Sequence, residues 1–161
     1  MNYRNLTWLV LAVVIILLDQ FSKYFVVLHL TFEQAVIVIP HWFNLFLTHN
    51  PGASFSFLAD MNGWQRWFLS AASIIISLIL LKWLLSLAKN QYWLAIAISL
   101  ILGGAMGNLI DRLRLSYVID FIQVYYKNHY FPTFNIADSA VVVGTAMLIC
   151  YSLCKKETGD E

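Results

Sequence analysis

Asp120 and Asp138 are the residues in this chain best equipped for chemistry. Each stands near the end of an apolar segment, the first in Val118-Ile119-Asp120-Phe121 and the second in Phe134-Asn135-Ile136-Ala137-Asp138-Ser139. A carboxylate close to hydrocarbon is costly and marks a functional site by default. Two that converge are the minimum equipment for hydrolysis by activated water: one draws a proton from water while the other, protonated, polarises a carbonyl. Asn135 is a good N-cap for a helix starting at Ile136, which puts Asp138 at the third helical position, where backbone donors and the helix dipole favour negative charge. Capping alone would account for both residues. If Asp120 approaches, however, the pair shares a proton, with Asp138 the ionised member.

The remaining intramembrane polar residues each have a structural and a functional reading. Asp19 and Lys23 are one helical turn apart and can pair, with Lys23 snorkelling to the surface; the pair either fixes its helix or supports the site. Asn108, Asp111 and Arg112 share one helix end, as a structural network or as substrate-positioning groups. Asn50 and Gly52 sit in an Asn-Pro-Gly turn, for which turn formation is sufficient explanation. Gly103, Gly104 and Gly107 form a small-residue ridge for close helix packing. Cys150 and Cys154 read as small apolar residues; the four histidines lie in the loops at the other end, so no metal and no other cofactor is expected.

The elements that must position these groups follow from composition. The chain is 60% hydrophobic and only 12% charged, which excludes an ordinary soluble domain. Four stretches, about 6–27, 67–87, 92–110 and 136–153, are long enough to cross a bilayer as helices. They leave one integral membrane domain over residues 1–161. The first stretch is too long and too polar at Asp19 and Lys23 for a cleavable leader, so it is expected to remain as an anchor. Arg4, Lys82, Lys89, Lys155 and Lys156 fall on one side, and Arg66, Arg112, Arg114 and Lys127 on the other. With Arg112 and Arg114 discounted as groups kept for chemistry, this puts both termini in the cytoplasm. The net charge of +1, without a basic run, implies no nucleic-acid partner; membrane lipids and membrane-borne substrates are expected.

Two extracytoplasmic loops remain, about 28–66 and 111–135. In the first, the β-branched run Ala35 to Ile39 and the segment Trp42 to Thr48, separated by Pro40, predict short strands at the membrane surface. The aromatics Trp42, Phe43, Phe46, Phe55, Phe57, Trp64 and Trp67 suit a headgroup-level belt or, alternatively, an apolar groove. In the second, Tyr117, Asp120, Phe121, Val124 and Tyr125 recur at helical spacing, which predicts a short amphipathic surface helix carrying Asp120.

Five ordered blocks resemble the bacterial lipoprotein signal peptidase (signal peptidase II) family over nearly the whole chain. They are Asp19-Gln20-Phe21-Ser22-Lys23, Asn50-Pro51-Gly52-Ala53-Ser54-Phe55, the run from Gly103 through Asn108 to Asp111-Arg112, Val118-Ile119-Asp120-Phe121, and Phe131 to Ser139. Ser54 stands where the family commonly has a second alanine. The resemblance implies an aspartic endopeptidase of the bacterial inner membrane, a monomer with its active site near the outer face. Such an enzyme removes signal peptides from diacylglyceryl-modified prolipoproteins on the N-terminal side of the lipidated cysteine. Asp120 and Asp138 match its catalytic pair; Asp19, Lys23, Asn50, Gly52, Asn108, Asp111, Arg112, Asn135 and Ala137 match or adjoin supporting positions. The implied fold is all-α, four transmembrane helices with a small extracytoplasmic β-cradle and a short surface helix.

Signatures of zinc, rhomboid and presenilin-type proteases are missing from the sequence. A Ser54–Lys23 dyad is a remaining enzyme alternative. From another class, a small proton-coupled transporter or channel subunit would use Asp19, Asp120 and Asp138 as a relay, but the polar residues gather at one end and form no path across.

Overall fold

A computed structural model describes residues 3–52, 64–88 and 90–157. The elements run α1 (Tyr3–His29), β1 (Ala35–Ile39), β2 (Phe43–Asn50), α2 (Trp64–Ser86), α3 (Tyr92–Leu115), β3 (Val118–Tyr126), β4 (His129–Tyr130) and α4 (Ile136–Glu157). All four helices are long and apolar enough to cross a membrane, as expected. α1, α3 and α4 extend past their sequence-based limits and α2 begins earlier than expected; in α3 the extension to Leu115 places Asp111 and Arg112 in the last turns, in keeping with their expected place at the helix end.

The central helix is α3. It packs against α1, α2 and α4, and 61% of its apolar window is buried, against 17–22% for the other three. The exposed faces of α1, α2 and α4 carry large apolar side chains such as Val10, Phe21, Ile75, Ile79 and Val142, which suits contact with lipid and not water. The glycine ridge lets α3 make this contact. A Cβ on Gly103 would lie 2.8 Å from the Ala12 carbonyl oxygen of α1; one on Gly104 would collide with the Ala137 carbonyl of α4. One on Gly107 would lie 2.7 Å from a carboxylate oxygen of Asp19.

The strands form one antiparallel sheet in the order β1-β2-β3-β4. The two early strands were legible as β-branched and aromatic runs. The surface helix expected over Tyr117 to Tyr125 is instead β3, so the described residues form four helices plus a four-stranded sheet and the all-α description is corrected. Helical spacing misled because Val118 to Phe121 are buried on both faces of the strand, which hides the period of two. β-Branched Val118, Ile119, Ile122 and Val124 favour the extended form. β2 pairs along one side of β3, setting Thr48 opposite Asp120 and Asn50 opposite Val118. On the other side the returning chain is tied by Phe134 N–H to Ile122 O at 3.0 Å and Ile122 N–H to Phe134 O at 2.8 Å. Asp120 therefore rides on an interior strand. Ser54, Phe55 and Phe57 lie outside the described residues.

α3 ends because Ser116 turns left-handed at φ 75° and donates its N–H to Arg112 O. Arg66 of α2 covers this end, donating to Leu113 O at 3.0 Å and to Ser116 Oγ at 2.6 Å. The chain then needs only Tyr117 before β3 begins, which keeps β3 against the helix end.

A Gly104→Ala substitution should lower the melting temperature in detergent. Overpacking against the Ala137 carbonyl costs about 1–3 kcal/mol, more than the roughly 1 kcal/mol gained in helix propensity; an unchanged melting temperature would mean that α3 and α4 part easily.

Candidate active site

The sequence of α4 specifies its own beginning. Asn135 Oδ1 accepts the N–H of Asp138 at 2.8 Å, and Asp138 Oδ2 accepts the N–H of Asn135 at 3.3 Å. This reciprocal arrangement is a capping box with Asp in the Glu position, as the residue types implied. A third donor of the first turn, Ala137 N–H, goes to Asp19 Oδ1 at 2.9 Å. Ala137 is fully buried, and its small side chain permits the approach to Gly107.

Asn135 also joins the two candidate catalytic residues. Its Nδ2 donates to Asp120 Oδ1 at 2.7 Å while its Oδ1 holds the backbone of Asp138. Asn50 Nδ2 donates to Asp120 Oδ2 at 2.9 Å. Asn50 is diagonal to Asp120 across the β2–β3 pair and on the same face. Its amide is oriented by the turn that follows: Gly52, at φ 102°, donates its N–H to Asn50 Oδ1 at 2.9 Å. Only glycine suits this position, since a Cβ would also lie 2.6 Å from Leu69 of α2. Asn108 Nδ2 completes the set, donating to Asp138 Oδ1 at 2.7 Å.

Beneath this layer lies a buried charge cluster. Lys23 Nζ reaches Asp19 Oδ2 at 2.8 Å, Asp111 Oδ2 at 2.8 Å and Asn108 Oδ1 at 3.0 Å. The expectation that Lys23 snorkels is corrected: it is 2% exposed. A snorkelling stem would leave two buried carboxylates without their cation, a larger cost than burying a paired ammonium. The cluster also includes Gln20, which no sequence reading selected. Its Nε2 donates to Asp111 Oδ1 at 2.9 Å and to Gly107 O at 3.2 Å; an amide inside an apolar run beside Asp19 was the available signal. Ile119, whose N–H donates to Asp111 Oδ2 at 3.2 Å, carries no signal at all, because only its backbone participates.

Asp138 opens into a cavity of about 590 Å³ whose wall includes Arg112, Asn108, Phe131, Phe134, Ser139, Val142 and Val143. Asp120 opens into an adjoining hollow of about 220 Å³ with Thr48, His49 and Pro51. Asn50, Pro132 and Thr133 line both. The larger space is mostly apolar and is bordered by the exposed α4 side chains Val142 and Val143, so an apolar ligand could enter from the hydrocarbon side.

Burial pushes the Asp120 carboxyl from an ordinary 3.8 up to about 7; the neighbouring Asp138 charge adds to this, while the Asn50 and Asn135 amides oppose it. The two adjoining hollows thus present a carboxyl able to carry a proton near neutrality close to a second carboxyl group, the equipment for acid–base hydrolysis. Because the folded state holds this proton more tightly than the unfolded chain, the contribution to stability is full below about pH 4 and is lost as pH rises through about 7. Asp120→Asn, which cannot ionise, should therefore gain in melting temperature relative to the parent between these values. Parallel curves would show that the carboxyl is unperturbed.

Residues 11–154 match the family model described as signal peptidase (SPase) II. A lipoprotein signal peptidase of Pseudomonas aeruginosa (strain UCBPP-PA14) is 48% identical over 160 residues, covering 99% of this chain and 95% of that protein. One from Acinetobacter baumannii (strain AB307-0294) is 52% identical over 146 residues, covering 91% and 82%. Among solved structures, a bacterial membrane enzyme determined at 2.3 Å by the in meso method superposes with a TM-score of 0.85 at 31% identity, covering 96% of this chain and 92% of the other. A second, at 1.9 Å, gives 0.80 at 33% identity, covering 91% and 92%.

Proposed function

The chain belongs to the signal peptidase II family, and from that premise we propose that it is an aspartic endopeptidase of the bacterial inner membrane, cleaving diacylglyceryl-modified prolipoproteins on the N-terminal side of the lipidated cysteine. The observation that carries the aspartic assignment is the joining of Asp120 and Asp138 through Asn135, with Asp138 on the wall of an apolar cavity and Asp120 on the hollow beside it.

Asp138 acts as the base that draws a proton from water. Asp120, proton-bearing near neutrality, hydrogen-bonds the scissile carbonyl and then delivers a proton to the leaving amine. The amides of Asn50, Asn108 and Asn135 are engaged in aiming the two carboxylates. Arg112, on the wall shared with Asp138, is the cation positioned to meet the tetrahedral oxyanion. The apolar cavity takes lipid-modified substrate from the bilayer, and the site faces outward with both termini in the cytoplasm. The enzyme works as a monomer. A proton relay through the bilayer is disfavoured because Asp19, Asp120 and Asp138 belong to one network at one end of the bundle.

Purified enzyme should cleave a diacylglyceryl-modified prolipoprotein, with the rate falling by about two to four orders of magnitude in Asp120→Asn and in Asp138→Asn. Undiminished cleavage by both variants would defeat the aspartic mechanism. Equal rates on unlipidated precursor would defeat the proposed specificity.

A further inference from the structure

The Lys23 ammonium is connected to the peptide immediately before each proposed catalytic aspartate. One arm runs from Lys23 Nζ to Asp19 Oδ2 and from Asp19 Oδ1 to the N–H of Ala137, the residue preceding Asp138. The other runs from Lys23 Nζ to Asp111 Oδ2, which accepts the N–H of Ile119, the residue preceding Asp120. Neutralising one buried ammonium needs a single carboxylate. Here two converge on it, each binding one element of the site, with exposures of 0% for Asp19 and 2% for Asp111.

We propose that Lys23 is a positioning residue that sets the separation of Asp120 and Asp138, with Asp19 and Asp111 as its two arms; the assignment rests on the reading of Asp120 and Asp138 as the catalytic pair. Without the cation the two arm carboxylates repel and are left bridged by the neutral Gln20 amide, which donates to Asp19 Oδ2 at 3.2 Å and to Asp111 Oδ1 at 2.9 Å, while Asn135 Nδ2 still reaches Ile119 O at 3.3 Å. The third Lys23 bond, to Asn108 Oδ1, bears on the same geometry because the Asn108 amide donates to Asp138. None of these groups lies within reach of substrate except Asn108, which lines the cavity. The effect of the clamp should thus fall on turnover and not on binding.

The test uses the full chain in detergent with diacylglyceryl-modified prolipoprotein, comparing the parent with Lys23→Met and with the double variant Lys23→Met/Asp111→Asn. Misplacing reacting groups by about an ångström costs on the order of 100-fold, so Lys23→Met should lose about that factor in kcat at nearly unchanged KM. The double variant removes the ammonium together with one of its two carboxylates and keeps the net charge of the cluster. Its melting temperature should recover part of the way toward that of the parent, since one of the two carboxylates that Lys23→Met leaves without a cation is gone while Asp19 stays buried without one. Its kcat should stay low. A kcat that recovers in step with the melting temperature would overturn the proposal by reducing Lys23 to a stabilising charge, and so would a defect confined to KM. Asp120→Asn and Asp138→Asn run alongside: if these still cleave, the catalytic assignment fails, a result separate from either outcome for Lys23.

Discussion

A single ammonium buried among apolar helices must find three acceptors, and the layout of this protein follows from how that requirement is met. The partners of Lys23 are Asp19 on its own helix and Asn108 and Asp111 on α3. An unpaired charge at that depth would be intolerable. α1 must therefore meet α3 at one register, and the glycines at positions 103 and 107 make the meeting close enough. Once the cluster is formed, Asp19 Oδ1 and the same Asp111 Oδ2 that meets the ammonium accept backbone N–H groups. Those they accept come from the segments that carry Asp138 and Asp120. Charge satisfaction in the bundle and geometry at the cavity are one arrangement.

The two aspartates are thereby given different physical settings. Asp138 belongs to the first turn of a helix whose capping requires it, so its position is specified by four consecutive residues. Asp120 is specified by sheet register and by amides from Asn50 and Asn135, contributed by distant parts of the chain. Burial without a cation in hydrogen-bonding contact is what lifts its affinity for a proton, and the proximity of Asp138 reinforces the effect. The two settings thus differ in origin, local structure for Asp138 and tertiary structure for Asp120.

What could be read from the sequence divides along the same line. The spans, the early strands, the glycine ridge and the Asn135–Asp138 cap are local or periodic, and they were legible. The pairing of Asp19 with Lys23 was legible from their spacing of one helical turn, but their convergence with Asn108 and Asp111 was legible only as a set of polar residues in apolar runs. The strand carrying Asp120 was misread because burial on both faces erases alternation. Lys23 was misplaced because its partner at position 111 is supplied by another helix. Ile119 was invisible, since a backbone donor leaves no trace in residue type.

The hydrogen bond from Ala137 to Asp19 spans 118 residues of a 161-residue chain. During synthesis α1, with its aspartate and lysine, enters the membrane long before α4 exists. Asp111 and Asn108 arrive with the third span and can already satisfy the ammonium, so the half-made bundle tolerates its buried charge. One oxygen of Asp19 waits until the last span is inserted. The network that joins α1 to α4 is therefore incomplete until translation is well into the last span, a timing enforced by connectivity alone.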